Sequence, residues 1–151
     1  MIKTRPATPS DAPSLKALND IFNGKDSNST ESIAKSLTEN NQEIVCVAID
    51  TSNNKNTLIG FCCGQIIKSM CYSILYGDIT EFFVIKEYQQ SDAQKQLIKQ
   101  IKHEFEKRGV THLHHLTGLD NSASQQLFLS QGFTDSTESS YNSSSLKIFE
   151  K

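Results

Sequence analysis

The side chains with the most chemistry to offer gather in a few places. His112, His114 and His115 stand almost side by side, while Cys46, Cys62, Cys63 and Cys71 fall in apolar segments. Imidazoles and thiols are common zinc ligands, but structural sites use paired spacings such as CxxC, and the chain has none. On a strand His115 points opposite to His112 and His114, and neither a carboxylate nor a cysteine stands beside them in sequence. These histidines therefore read as strand residues at the surface or core edge, and no metal is expected. The cysteines read as buried, reduced thiols of a cytoplasmic protein.

The elements that position these residues follow from periodicity. Ile2 to Ala7 is a short strand stopped by Thr8-Pro9, where Thr8, Pro9 and Asp11 make a helix start. Ala12, Leu15, Leu18 and Phe22 then form one buried helical stripe that ends at Asn23-Gly24. A second helix spans Glu31 to Glu39. Ile44 to Ile49, Leu58 to Ile67 and Tyr72 to Ile85 are strands, the last interrupted at Gly77-Asp78. The run Phe82-Phe83-Val84-Ile85 marks a strand covered on both faces.

The clearest helix comes next. Ser91 and Gln94 make a capping box, Leu97, Ile98, Ile101 and Phe105 make the stripe, and Gly109 is the stop. Val110 to Thr117 is a strand and Ser122 to Gln131 a helix stopped by Gly132. Phe133 to Glu138 and Leu146 to Glu150 are closing strands around a Ser-rich loop. The passage from Phe82 to Thr117 requires a parallel pair with a crossover helix. The fold class is a single-domain α/β protein with a mixed, mostly antiparallel sheet.

Composition narrows the function. The 151 residues suit one domain, and 15 Lys+Arg against 17 Asp+Glu leave a net charge of −2. Such a balance gives no electrostatic footprint for nucleic acid or an anionic membrane. No apolar run approaches a bilayer span, and the first residues lack the apolar stretch of a secretory signal.

In order and spacing the chain resembles the GNAT family of N-acetyltransferases over nearly its whole length. The opening Ile2-Lys3-Thr4-Arg5-Pro6-Ala7-Thr8-Pro9-Ser10-Asp11-Ala12 is similar to the family's first strand and helix start. Leu58-Ile59-Gly60-Phe61 and Glu81-Phe82-Phe83-Val84 are similar to its third and fourth strands. Asn121, Leu127, Phe128, Gly132 and Phe133 match its late helix. The resemblance implies that the central parallel strands splay into a V holding acetyl-CoA. Phe83, Val84 and Ile85 would then face the pantetheine, and Gln89, Gln90, Ser91, Asp92, Ala93 and Gln94 the diphosphate, with Asn121 and Phe128 also at the cofactor.

The family pattern at the phosphate loop is Arg/Gln-x-x-Gly-x-Gly/Ala, and only Gln89 satisfies it. Asp92 and Gln94 replace small residues that let a phosphate approach the backbone. Many members carry a tyrosine as general acid where this chain has Phe128. Tyr88 or Tyr141 substitutes only if the fold brings it close. Glu81 and His115 are the candidate bases, since attack on a thioester requires an amine to lose a proton.

The resemblance implies an acetyl-CoA-dependent enzyme acting on a primary amine. The acceptor is a small molecule, with an aminoglycoside-like layout, or a peptide amine, and Glu81, Asp135 and Glu138 would attract its charge. An enzyme using another acyl-CoA is a further reading. The altered loop and Phe128 also fit a different class, a catalytically weak or inactive binding or regulatory module. Residues 133–150 offer strands for a homodimer.

Overall fold

The computed structural model describes residues 1–136 and 146–150. The elements are β1 (Ile2–Pro6), α1 (Ala12–Asn23), α2 (Thr30–Glu39), β2 (Glu43–Asp50), β3 (Thr57–Lys68), β4 (Leu75–Val84), α3 (Ala93–Lys107), β5 (Val110–Gly118), α4 (Ser122–Ser130), β6 (Thr134–Ser136) and β7 (Leu146–Glu150). The strands form one sheet in the order β1-β2-β3-β4-β5-β7-β6. Among the described residues only β4 and β5 pair in parallel, with α3 as the crossover between them. The mixed sheet and its parallel pair follow the sequence reading.

Local chemistry explains the joints. Asp11 Oδ2 accepts the Thr8 N–H at 2.8 Å, and the carboxylate also takes two bonds from the Arg5 guanidinium at 2.7 and 2.8 Å. This fork ties β1 to the start of α1 and holds the Asp11 carboxyl below the usual carboxylate range. α1 buries Ala12, Leu15 and Leu18 as the spacing predicts. Phe22 is the exception. It is 40% exposed, although its ring lies 5.2 Å from Phe83 and 6.0 Å from Phe61.

Two cores flank the sheet. On one face α3 and α4 bring Leu97, Ile98, Ile101, Phe105 and Phe128 against Cys46, Cys62, Ile79 and Val84. On the other, Leu15 and Leu18 of α1 meet Val47, Ile49 and Phe61. Three layers result. Among the described residues no helix is long and apolar enough to cross a membrane.

The structure corrects several expectations. β4 begins at Leu75 and runs unbroken through Gly77-Asp78. Gly77 is there for space: a Cβ on it would lie 2.5 Å from Leu113 Cδ2 and 2.8 Å from Phe105 Cε1. The Ser91–Gln94 capping box is not formed. Instead Ser91 Oγ donates to the Tyr88 carbonyl at 2.6 Å and accepts the Ala93 N–H at 3.2 Å, so α3 starts at Ala93. Cys46 and Cys62 are buried, but Cys63 is half-buried and Cys71 exposed. The Ser-rich loop, Glu138 and Tyr141 lie outside the described residues.

Candidate active site

The site begins where the parallel pair ends. β4 and β5 are paired from Leu75 opposite Val110 to Ile79 opposite His115. Beyond that point β4 continues to Val84 bonded only to β3, while β5 continues to Gly118 bonded to β7. Residues 80–84 of β4 therefore have no strand partner on the β5 side, in the centre of a sheet.

A β-bulge sits at the same place. Cys63 is opposite Glu81 and Gly64 is opposite Ile79, which leaves Thr80 as the extra residue of β4. Residues three apart on a regular strand point to opposite faces. The extra residue cancels that alternation, so Asp78 and Glu81 lie on the same side of the sheet, where Glu81 meets α1 and α2. Ile79, Phe82 and Val84 share the face under α3.

Under α3, Phe128 of α4 fills the mouth of the divergence. It is fully buried, stacked on His115 at 3.8 Å and edge-on to Phe82 at 5.7 Å. His115 is itself buried, its Nδ1 lies 3.0 Å from the Ile79 carbonyl, and burial pushes its pKa down. The two candidate bases are thus on opposite faces of the sheet, with only Glu81 facing an open cleft.

The start of α3 follows directly on β4. Gln89 Nε2 donates to the Val84 carbonyl at 3.1 Å and holds the strand end against the turn. Gln90 and Asp92 are exposed, Ala93 is buried, and Ser91 and Gln94 are intermediate. The Asp92 side chain makes no cap hydrogen bond and Ser91 Oγ takes the Ala93 N–H, so the free donors of this helix start lie after Ala93. The Ile85 N–H is spent on the Ile59 carbonyl at 2.9 Å. Asn121 uses its Oδ1 to accept the Ser124 N–H at the start of α4. Tyr88 hydroxyl donates to Asp50 Oδ2 at 2.6 Å, a bond that commits it to the end of β2.

Glu81 opens into a cleft of about 210 Å³ between α1, α2 and the sheet, with Phe61, Val45 and Leu37 on its apolar walls. Glu43 and Cys63 share it, and one ligand atom each from Glu43, Cys63 and Glu81 lies within 4.8 Å of the others. Burial and the neighbouring Glu81 raise the Glu43 carboxyl, and burial lifts the Cys63 thiol well above its usual range. Carboxylate oxygens of Glu43 and Glu81 in the cleft can accept hydrogen bonds from an entering amine.

Glu43 and Cys63, which line the cleft with Glu81, were missed as site residues by sequence reasoning. The register that aligns β2, β3 and β4, and the bulge at Thr80, have no signal in a single sequence. A carboxylate opening an otherwise apolar strand at Glu43 was the available hint.

Comparison with known proteins agrees with this geometry. The family model for the acetyltransferase (GNAT) family matches residues 15–133. A GNAT-family acetyltransferase from Streptococcus pneumoniae superposes with a TM-score of 0.78 at 16% identity, covering 100% of this chain and 99% of that one. Arabidopsis thaliana NAA60 in complex with acetyl-CoA gives 0.75 at 18% identity, covering 100% and 98%. An aminoglycoside acetyltransferase from an uncultured soil metagenomic sample, in complex with sisomicin, gives 0.71 at 17%, covering 86% of both chains. No curated protein matches the sequence. With the family model spanning most of the chain and the splayed parallel strands in place, the chain belongs to the GNAT acetyltransferase family.

Proposed function

We propose that the protein transfers the acetyl group of acetyl-CoA to a primary amine that enters over Glu81. The observation that carries this reading is the unpaired β4 edge at residues 80–84, which begins beside the Glu81 cleft. Apart from the Val84 carbonyl, which Gln89 occupies, the N–H and C=O groups of that edge suit the amides of a pantetheine arm, and the first-turn N–H groups of α3 after Ala93 suit a diphosphate. Asp92 opposes such an anion. Arabidopsis thaliana NAA60 with acetyl-CoA bound supports the choice of co-substrate.

Chemically, the acceptor nitrogen bonds to the thioester carbonyl carbon and the carbon–sulfur bond breaks. A protonated amine sheds two protons in all. One goes through Glu81 to solvent and one ends on the departing thiol. Phe128 has no proton to give, but a thiol of pKa about 8.5 leaves as thiolate without an acid. His115, buried and bonded to Ile79, serves the architecture of the gap. The acceptor is a small-molecule or peptide amine, and the sisomicin complex of the metagenomic enzyme supports a cationic one.

Calorimetric titration with acetyl-CoA, followed by thiol release with an amine panel, tests the reading. Stoichiometric binding and amine-dependent release are expected, with Glu81→Gln slower by about 10²–10⁴-fold. Absence of binding at millimolar acetyl-CoA in a folded protein favours the second reading, a binding or regulatory module. Phe128 and Asp92 are the residues that support that alternative.

A further inference from the structure

Thr117 stands on β5 just beyond the point where the parallel strands part. It is 6% exposed, and its Oγ1 is buried with no hydrogen-bond partner among the described residues. Two residues on from His115 along a strand, it points to the same side, the side that Phe128 and α3 cover. The polar groups beside it are committed elsewhere. The Gly118 carbonyl accepts the Asn121 N–H at 3.1 Å and Gln125 Nε2 at 2.8 Å. The Asn121 side chain accepts the Ser124 N–H at 3.2 Å. A hydroxyl can both donate and accept, and burying it with neither bond made is costly. Such an orphan marks a place where a partner is missing.

The height of Thr117 along the gap points to that partner. Ile79 is opposite His115, so Thr117 lies about level with Glu81 across the divergence. Glu81 faces the cleft on one side of the sheet, and Thr117 faces Phe128 on the other. An amine entering over Glu81 meets the thioester carbon between them. The atom on that carbon that gains charge as it leaves is the sulfur, and Phe128 has no hydrogen to offer it.

We infer that the Thr117 hydroxyl contacts the acyl-CoA sulfur and donates a hydrogen bond to the thiolate as it forms. The inference rests on the acetyl-transfer reading above and adds a catalytic residue to it. The amine nitrogen bonds to the carbonyl carbon, and the carbon–sulfur bond breaks with its electron pair passing to sulfur. The Thr117 hydrogen stays on its own oxygen throughout, and the proton that completes the thiol is the one the amine releases. A donor aimed at the thiolate favours the charged form and so lowers the thiol pKa.

Thr117→Val and Thr117→Ser test the contact. The readouts are kcat with acetyl-CoA and an amine, the pKa of the bound CoA thiol, and urea unfolding without ligand. The thiol pKa is read from the thiolate absorbance of the CoA complex minus that of the desulfo-CoA complex. In the wild type it is expected below about 8.5, and Thr117→Val should return it to about 8.5. The same variant should slow kcat by about tenfold or more, while Thr117→Ser should hold both values. Without ligand, Thr117→Val should unfold at no lower urea than the wild type, because a methyl replaces an orphaned hydroxyl. A residue that only supports the fold would lose stability and rate together. Should the valine variant not fold, Thr117→Ala takes its place. A wild-type thiol pKa near 8.5 overturns the inference. So does a thiol pKa or a kcat that valine leaves unmoved, or that serine fails to hold. CoA binding without amine-dependent thiol release removes the acetyl-transfer reading instead, and the thiol pKa still decides the contact. Absence of CoA binding removes both.

Discussion

The imidazole of His115 lies flat on the ring of Phe128, with centroids 3.8 Å apart and 19° between the planes. Its Nδ1 is 3.0 Å from the carbonyl of Ile79, the last β4 residue paired with β5. A carbonyl only accepts, so Nδ1 carries the hydrogen and Nε2 is left with the lone pair in the neutral ring. One side chain thus ties β5, β4 and α4 together at the point where the parallel strands separate. The divergence is held by packing, with Phe82 and Phe133 closing on Phe128 at 5.7 and 5.1 Å.

This arrangement makes stability depend on pH. Burial lowers the His115 pKa, and the bond to Ile79 offsets only part of that. As pH falls, the unfolded chain takes up a proton near about 6.5, before the folded chain does. The contribution is present above that pH and is lost as pH drops toward the folded value. Urea midpoints are expected to decline from about pH 7.5 to about pH 5, and His115→Phe should flatten the decline. The variant also orphans the Ile79 carbonyl, a cost of about 1–3 kcal/mol at every pH. An unflattened slope would assign the effect to another group.

Phe128→Ala removes a fully buried ring against which the rings of Phe82, His115 and Phe133 pack. A loss of about 3–5 kcal/mol is expected in denaturant unfolding. Amides of β4 and β5 near Ile79 and His115 should lose exchange protection ahead of those in β2. A loss under about 1 kcal/mol would mean that the gap is already filled without the ring.

Much of the fold was legible because it is written in short-range patterns. The α3 stripe of Leu97, Ile98, Ile101 and Phe105 has helical period and is buried throughout. The hydrophobic run at Phe82 to Ile85 identified a central strand, and Gly109 and Gly132 adopt φ of 79° and 87° where stops were read. What sequence could not carry was register. Gly77-Asp78 looked like an interruption, yet Gly77 is a seat for Phe105 inside an intact strand. Glu81 was legible as a carboxylate on that strand, but its companions Glu43 and Cys63 meet it only through cross-strand pairing and a bulge. His115 looked available for chemistry, and only packing reveals the stack that occupies it.

The Phe105 seat gives a packing test. Gly77→Ala places a methyl against Phe105 and Leu113 in a filled core, at an expected cost of about 1–3 kcal/mol. Phe105→Leu alone opens space and also destabilises. Combined, the two changes relieve one another, so the double variant should be more stable than the sum of the single losses predicts. Strict additivity in urea midpoints would show that the ring does not sit over Gly77.

The start of α3 gives the functional counterpart. Asp92 is exposed at the first turn, with no hydrogen bond from its side chain to the helix. A diphosphate bound to the same amides meets its carboxylate as a like charge. At about 6 Å that repulsion costs roughly 0.7 kcal/mol in water and about 2.8 kcal/mol at an effective dielectric of about 20. Asp92→Asn should therefore tighten acetyl-CoA by about threefold to a hundredfold, less at high salt as screening sets in. Asp92→Gly with Gln94→Gly also removes two Cβ atoms and should gain at least as much. Calorimetry on both variants reads the gain directly. If neither moves the affinity, the helix start is not where the diphosphate rests, and the β4 edge must carry the binding without it.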